Sequence, residues 1–206
     1  MWALVEDGSI TKYFSGNKGV TIGDIQYSRN IFSFRWTNEE REAIGLYEVV
    51  FDDTNKKDEA YYINTDQSFA FAGGKVTASY GSATAKPHAD ILFTAQDEVD
   101  GKGTEGEVKT EGLKTIKIRQ VKSQAASILQ NTDWYVTRKA DDGTAIPSAI
   151  STYRASVRTK SGQMETAITN AADTPALETL YTYVNTGTEE NPVMERPLGE
   201  WPELEV

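Results

Sequence analysis

The spacing of apolar residues changes once along this chain, and the change limits the folds open to it. Over residues 1–95, apolar residues form short runs separated by Gly, Asp and Asn, which is typical of strands joined by tight turns. From Leu113 to Leu129 they recur at intervals of three and four, the period of an amphipathic helix. The sequence therefore predicts an α+β fold, with a β-rich N-terminal module followed by a small all-helical C-terminal module.

Two polar segments complete the predicted organisation. The stretch 96–111 is rich in Gly, Glu, Asp, Lys and Thr and has almost no apolar residues, so we expect a charged linker. Residues 112–184 are predicted to form a helical hairpin or bundle. Residues 185–206 are rich in Pro and Glu, and we expect them to be an extended tail.

The helical module is predicted in more detail. One helix should run continuously through 112–130, an Asp-Gly turn should follow at 142–143, and a second helix should begin at Pro147, a residue suited to the first helical position. Because the connection is short, the two helices should pack antiparallel. The apolar residues expected in a third and a fourth helix are, respectively, Met164 and Ile168, and Leu177 and Leu180.

Composition argues against several classes of function. The chain has no cysteine and one histidine, His88, so thiolate metal sites and multi-histidine sites cannot be built. We predict no catalytic residues, no cofactor and no metal, and therefore a protein that is not an enzyme. The net charge of −10 disfavours nucleic acid, since phosphate binding requires a basic face. The N-terminus lacks the pattern of a signal peptide and no apolar run suits a membrane span, so no membrane partner is expected.

The segment 132–158 has a distinctive order: Asp-Trp at the end of a helix, a short turn, Ile-Pro, then a helix with Tyr-Arg and Val-Arg. It resembles the C-terminal segment of bacteriophage tail assembly chaperone-like proteins. That segment often lies at the C-terminal end of tail-fibre accessory proteins. The resemblance covers about 112–160 and extends more loosely into the N-terminal half.

This resemblance implies a non-enzymatic tail-associated protein, either a structural component of the tail or fibre or its assembly chaperone. The implied partners are other phage tail or fibre proteins, in a homo-oligomer or a symmetric assembly. The implied location is the virion tail, or the host cytoplasm during assembly.

Candidate partner contacts in the helical module have two interpretations each. Trp134 could anchor a partner, but we favour packing against Tyr153 at the closed end of the hairpin. Arg154 and Arg158 share one helix face and could bind a partner's carboxylates. We favour pairing within the module, with Asp133 or Asp141 as the nearest acids.

The tail carries apolar residues in an otherwise polar segment. Leu198, Trp201 and Leu204 are spaced as in a docking peptide, and the surface they contact could belong to this chain or to another.

An alternative function is glycan binding at a fibre tip. Aromatic side chains exposed on one strand face would favour it, and their burial would remove it. The residues concerned are Tyr61, Tyr62, Phe69, Phe71 and Tyr80.

Overall fold

The computed structural model describes residues 1–204, so the last two residues of the predicted tail lie outside the described part of the chain. The chain divides into two compact units, the first spanning Met1–Thr84 and the second beginning at Ala85. The first unit is β-rich and the second is mainly helical, which confirms the predicted α+β fold. The boundary lies at residue 84, ahead of the predicted linker.

In chain order the elements of the first unit are β1 (Trp2–Glu6), β2 (Ser9–Phe14), β3 (Val20–Ile22), β4 (Ile25–Tyr27), a 3-10 helix (Arg29–Phe32), α1 (Asn38–Glu42), β5 (Leu46–Asp52), β6 (Tyr62–Ile63), β7 (Ser68–Ala72), β8 (Lys75–Ser79) and β9 (Thr84–Ala85). The unit is built on a five-stranded sheet with strand order β2-β1-β5-β8-β7. Neighbouring strands are antiparallel except β5 and β8, which are parallel.

Local turn and cap chemistry places several of these elements. Asp7 and Gly8 join β1 to β2 with φ of 51° and 76°, the left-handed conformation that a two-residue hairpin turn requires. At the start of α1, the Thr37 hydroxyl accepts a hydrogen bond from the Glu40 N–H at 3.2 Å. The Glu40 carboxylate in turn accepts from the Thr37 N–H at 2.7 Å. The hairpin turn and the capping box are each formed by residues within three positions of one another.

The sheet curls so that one face encloses an apolar core. Alternate side chains along each strand point to this face, because the side-chain period of a strand is two. The two outermost strands, β2 and β7, meet through the rings of Tyr13 and Phe69, whose centroids lie 5.0 Å apart. The buried residues of this core are Ala3, Val5, Val49, Val76 and Ala78.

The other face of the sheet buries Trp2 and Leu46 together with Ile31 of the 3-10 helix. Arg41 of α1 holds this arrangement: its Nε donates to the Ile31 carbonyl at 2.7 Å, and its guanidinium lies 4.7 Å from the Trp2 ring centroid. Arg41 is only 6% exposed, so this cation has a structural role.

The second unit combines short strands with one short helix before residue 112 and four helices after it. Its elements are β10 (Ile91–Leu92), α2 (Ala95–Val99), β11 (Val108–Thr110), α3 (Leu113–Gln130), α4 (Asp133–Asp142), α5 (Ser148–Asn170), α6 (Thr174–Tyr181), β12 (Val184–Asn185) and β13 (Met194–Glu195).

The stretch 96–111 is not a linker, because it contains most of α2 and all of β11 and belongs to the second unit. The Asp97 carboxylate accepts hydrogen bonds from the Thr94 N–H at 3.1 Å and from Lys109 Nζ at 2.9 Å. β11 pairs antiparallel with β10. Hydrogen bonds and an ion pair order this segment. The pattern of apolar residues in the sequence therefore does not predict its structure.

The helices α3 and α5 form the predicted antiparallel hairpin. At one end Lys114 Nζ donates to the Thr169 carbonyl at 2.8 Å, and at the other Arg154 NH1 donates to the Leu129 carbonyl at 2.8 Å. The predicted continuous helix over 112–130 is confirmed as α3.

The separate third helix is wrong, since α5 continues without a break through the residues assigned to it. The residues that α3 and α5 bury are Leu113, Val121, Ala125, Ile150, Arg154, Val157, Ser161, Met164 and Ile168. Within residues 1–204, no helix combines the length and the apolar character needed to cross a membrane.

Candidate partner-binding surface

Arg154 joins the end of α3 to the start of α4. Its NH1 donates to the Leu129 carbonyl at 2.8 Å and to the Thr132 hydroxyl at 2.6 Å. Its NH2 lies 2.8 Å from the Asp133 carboxylate. Carbonyl groups at the end of a helix lack partners within the helix, so a buried guanidinium here satisfies one of them and also fixes the first turn of α4.

The Arg154 side chain is 7% exposed and its NH1 donates within the unit, which favours the pairing within the module over a contact with a partner. The pairing with Asp133 that we favoured from sequence is the one formed. Arg158, four residues further along α5, is exposed, and its NH1 reaches only the Arg154 carbonyl at 3.5 Å. Arg158 remains a predicted partner contact.

The chain turns at Asp142-Gly143 as predicted, with Gly143 in the left-handed conformation at φ of 79°. The residues between Asp133 and this turn form the helix α4, which was not expected. None of the residues of α4 is buried. The prediction that Trp134 is a core residue is wrong, since its side chain is 52% exposed. Arg154 holds Asp133 against the hairpin, and the next residue of a helix points about 100° away, which turns Trp134 outward.

Trp134, Tyr135 and Arg138 form one cluster, which we call the α4 surface. The rings of Trp134 and Tyr135 have centroids 4.1 Å apart. The Arg138 guanidinium lies 4.6 Å from the Trp134 centroid and 5.6 Å from the Tyr135 centroid, within the range of cation–π attraction. The Nε of Arg138 is shielded from solvent and has no hydrogen-bond partner within residues 1–204.

Sequence analysis singled out Trp134 and missed the other two members of this cluster. The spacing of four between Trp134 and Arg138 would have indicated a shared helix face, had a helix been expected there. At the end of α4, hydrogen bonds from Thr144 lower the pKa of Asp142, with a smaller contribution from the charge of Arg138. Asp142 is thereby kept anionic and tied to the turn that follows α4.

The segment from α3 to α5 has a net charge opposite to that of the whole chain, although α4 itself holds three acids, Asp133, Asp141 and Asp142, and two bases, Arg138 and Lys139. Residues 113–170, which include α3, α4 and α5, hold nine Lys or Arg and four Asp or Glu, a net charge of +5. The complete chain has a net charge of −10. The segment that contains α3, α4 and α5 therefore has a net positive charge in a chain that is negative as a whole.

The predicted docking segment of the tail packs on its own unit. Leu198 is 4% exposed, its N–H donates to the Leu180 carbonyl at 3.0 Å, and its carbonyl accepts from Lys160 Nζ at 2.8 Å. Trp201 Nε1 donates to the Gln124 side chain at 3.2 Å. Of the two surfaces left open by the sequence, Leu198 and Trp201 contact the one that belongs to this chain.

The tail is also less extended than predicted. It begins with a hairpin in which β12 pairs with β13. Beyond this hairpin the Tyr183 hydroxyl donates to Glu200 at 2.5 Å, and that hydrogen bond lowers the pKa of the Glu200 carboxyl. Leu204 is half-buried and lines a shallow depression with Tyr153 and Ser148. Tyr153 and Leu204, both predicted partner contacts, thus lie together within the unit.

The aromatic residues invoked for sugar stacking do not form an exposed platform. Tyr61 is buried, and the other four are half-buried. Phe69 contacts Tyr13, and Phe71 contacts Tyr47 with ring centroids 4.8 Å apart. These side chains support the first unit, so the observation that would have favoured glycan binding is missing.

Within residues 1–204, no group of three or more His, Asp or Glu side chains is arranged to hold a metal ion. Comparison of the chain with protein-family models, with curated proteins and with solved structures gave no match.

Proposed function

We propose that this chain is a non-enzymatic bacteriophage tail-associated protein that acts by protein–protein contact. Its role is that of a structural component of the tail or fibre, or of the chaperone that assembles it. The resemblance of residues 132–158 to bacteriophage tail assembly chaperone-like proteins is the reason for proposing a role in a phage tail. The observation that carries the proposal is the α4 surface, where Trp134, Tyr135 and Arg138 form an aromatic and cationic cluster on a helix with no buried residue.

The composition of the α4 surface suits a binding role. Trp, Tyr and Arg are the residues that most often dominate the free energy of protein–protein binding. Trp134 leaves about half of its side chain accessible to such a partner. The bonds from Arg154 fix the start of α4, so little conformational entropy is lost when a partner binds there.

The partners in this proposal are other tail or fibre proteins. Phage tails and fibres are symmetric, so each copy of the chain would meet the same partner surface in a repeated contact. The protein would be located in the virion tail, or in the host cytoplasm while the tail is assembled.

Mass spectrometry of purified particles of the encoding phage, together with assembly intermediates from infected cells, tests this proposal. Presence in mature particles in a fixed ratio to a tail protein identifies a structural component. Presence only in intermediates, in complex with a fibre protein, identifies a chaperone. Absence from both would contradict the proposal.

A further inference from the structure

We infer that a groove in the first unit binds a small zwitterion, an α-amino acid with an apolar side chain. The groove lies between α1 and the sheet face that buries Trp2, and it has a volume of about 240 Å³. Its lining combines apolar side chains with two cations and two anions. This site is separate from the α4 surface, and the inference does not rest on the proposed function.

The pairing of β5 with β8 sets the positions of several side chains in this groove. Val50 lies opposite Thr77 in the parallel register of the two strands. Because side chains alternate along a strand, Glu48 shares the face of Val50, and Lys75 shares the face of Thr77. All four residues line the groove. Two distant segments of the chain therefore bring a carboxylate and an ammonium group to a single site.

Arg41 of α1 is a buried cation in the wall of the groove. Three of its five N–H groups donate hydrogen bonds, to the Ile31 carbonyl at 2.7 Å, to the Asn38 side chain at 2.9 Å and to the Ser33 carbonyl. These acceptors are uncharged, and no carboxylate in residues 1–204 forms an ion pair with Arg41. A buried charge without a counter-charge is unfavourable, so a ligand carboxylate at the two unused N–H groups offsets that cost.

The other charged groups of the groove are also without ion pairs. Lys75 lies on β8, Glu42 on α1 and Glu48 on β5. Within the described residues, none of these three side chains pairs with an opposite charge. A purely anionic ligand would be repelled by the two carboxylates, and a purely cationic one by Lys75 and the Arg41 guanidinium. A ligand that carries both charges complements the two cations and the two anions together.

The apolar part of the ligand follows from the floor of the groove. Trp2 and Val50 line it, and Val50 is 53% exposed. An apolar side chain placed over Val50 removes apolar area from water, which favours binding. Pockets for drug-sized ligands have volumes of about 300–1,000 Å³, so a groove of about 240 Å³ suits a single amino acid and not a peptide.

Isothermal titration calorimetry of the full-length chain with four small molecules tests the inference. Phenylalanine has both charges and an apolar side chain, and we expect it to bind with a dissociation constant of about 1 mM or lower. Each of the others lacks one feature: 3-phenylpropanoate the ammonium group, 2-phenylethylamine the carboxylate, and glycine the apolar side chain. Each should bind about tenfold more weakly or not at all.

Variants of the exposed charges show which groups bind the ligand. Lys75→Gln should weaken phenylalanine binding by about threefold to tenfold and reduce its advantage over 2-phenylethylamine. The double variant Glu42→Gln with Glu48→Gln should reduce the advantage of phenylalanine over 3-phenylpropanoate, because the ammonium group loses its partners. Lys57→Gln is the matched control, since Lys57 is exposed in the same unit but does not line the groove. Circular dichroism verifies that each variant is folded.

Several results would overturn the inference. The absence of any binding heat at about 10 mM phenylalanine would do so, because a ligand of this size in a matching site binds more tightly than that. Equal affinity for phenylalanine and for either singly charged molecule would remove the zwitterion. Equal effects of Lys75→Gln and Lys57→Gln would place the binding outside the groove.

Discussion

Replacing Arg154 by Met should destabilise the second unit, because it removes the guanidinium that joins α3 to α4. The side chain is 7% exposed and makes two hydrogen bonds, 2.8 Å to the Leu129 carbonyl and 2.6 Å to the Thr132 hydroxyl. Met keeps most of the apolar stem, so the loss measures the polar contacts and not a cavity.

The size of the effect follows from the burial of the groups left behind. Hydrogen bonds to charged groups contribute about 1.5–3 kcal/mol each, but the Thr132 hydroxyl also donates to the Leu129 carbonyl at 3.0 Å and keeps part of this network. The contact with Asp133 adds at most about 1 kcal/mol, because that carboxylate is 55% exposed and screened by solvent. We therefore expect a loss of about 3 kcal/mol.

Urea unfolding followed by circular dichroism measures this loss. With a slope of about 2 kcal/mol per molar urea, the midpoint of the helical transition should fall by about 1.5 M. The control is Arg158→Met on the same helix, where an exposed side chain should change stability by no more than about 0.5 kcal/mol. Equal midpoints for the two variants would refute the reasoning.

Four further predictions concern the stability of the chain. Trp134→Ala should cost no more than about 1 kcal/mol in urea unfolding, since the ring is half-exposed; a loss of 3 kcal/mol or more, roughly that of a core aromatic, would restore the hairpin-core interpretation. Leu198→Ala should cost about 2–5 kcal/mol by the same assay, because this side chain is buried; an unchanged midpoint would show that the tail is not docked. Asp97→Asn should make the free energy of unfolding less dependent on pH in acid. Hydrogen bonds from Thr94 and then Lys109 lower the pKa of Asp97 in the folded state. The stability that this carboxylate contributes is therefore present above its unfolded pKa of 3.8 and is lost as the pH falls below that value. Limited proteolysis should leave 96–111 uncut while the second unit is folded; an early product near half length would contradict its ordered structure.

The features that could be predicted from sequence are those set by neighbouring residues. The turn at Asp7-Gly8 and the caps at Thr37 and Asp173 depend on backbone angles and hydrogen bonds within a few positions, so neighbouring residues specify them. The antiparallel packing of α3 and α5 was predicted from two amphipathic segments, although the connection between them contains α4 and is longer than expected.

The features that could not be predicted depend on distant residues. The parallel pairing of β5 with β8 places Val49 beside Val76, and these residues lie far apart in sequence. The outward position of Trp134 depends on a bond between Asp133 and Arg154, which lie far apart in sequence. A local pattern contains no information on that bond, so Trp134 was assigned to the core and its neighbour Arg138 was overlooked.

Site-specific photo-crosslinking tests the central claim, that the chain acts through the α4 surface in a phage tail. A benzoylphenylalanine would replace Trp134 in the encoding phage, and infected cells would be irradiated during assembly. The same residue at Thr166, exposed on α5, is the control. The account predicts a crosslink from position 134 to a tail or fibre protein and none from position 166. No crosslink from 134, or the same crosslinks from both positions, would contradict it.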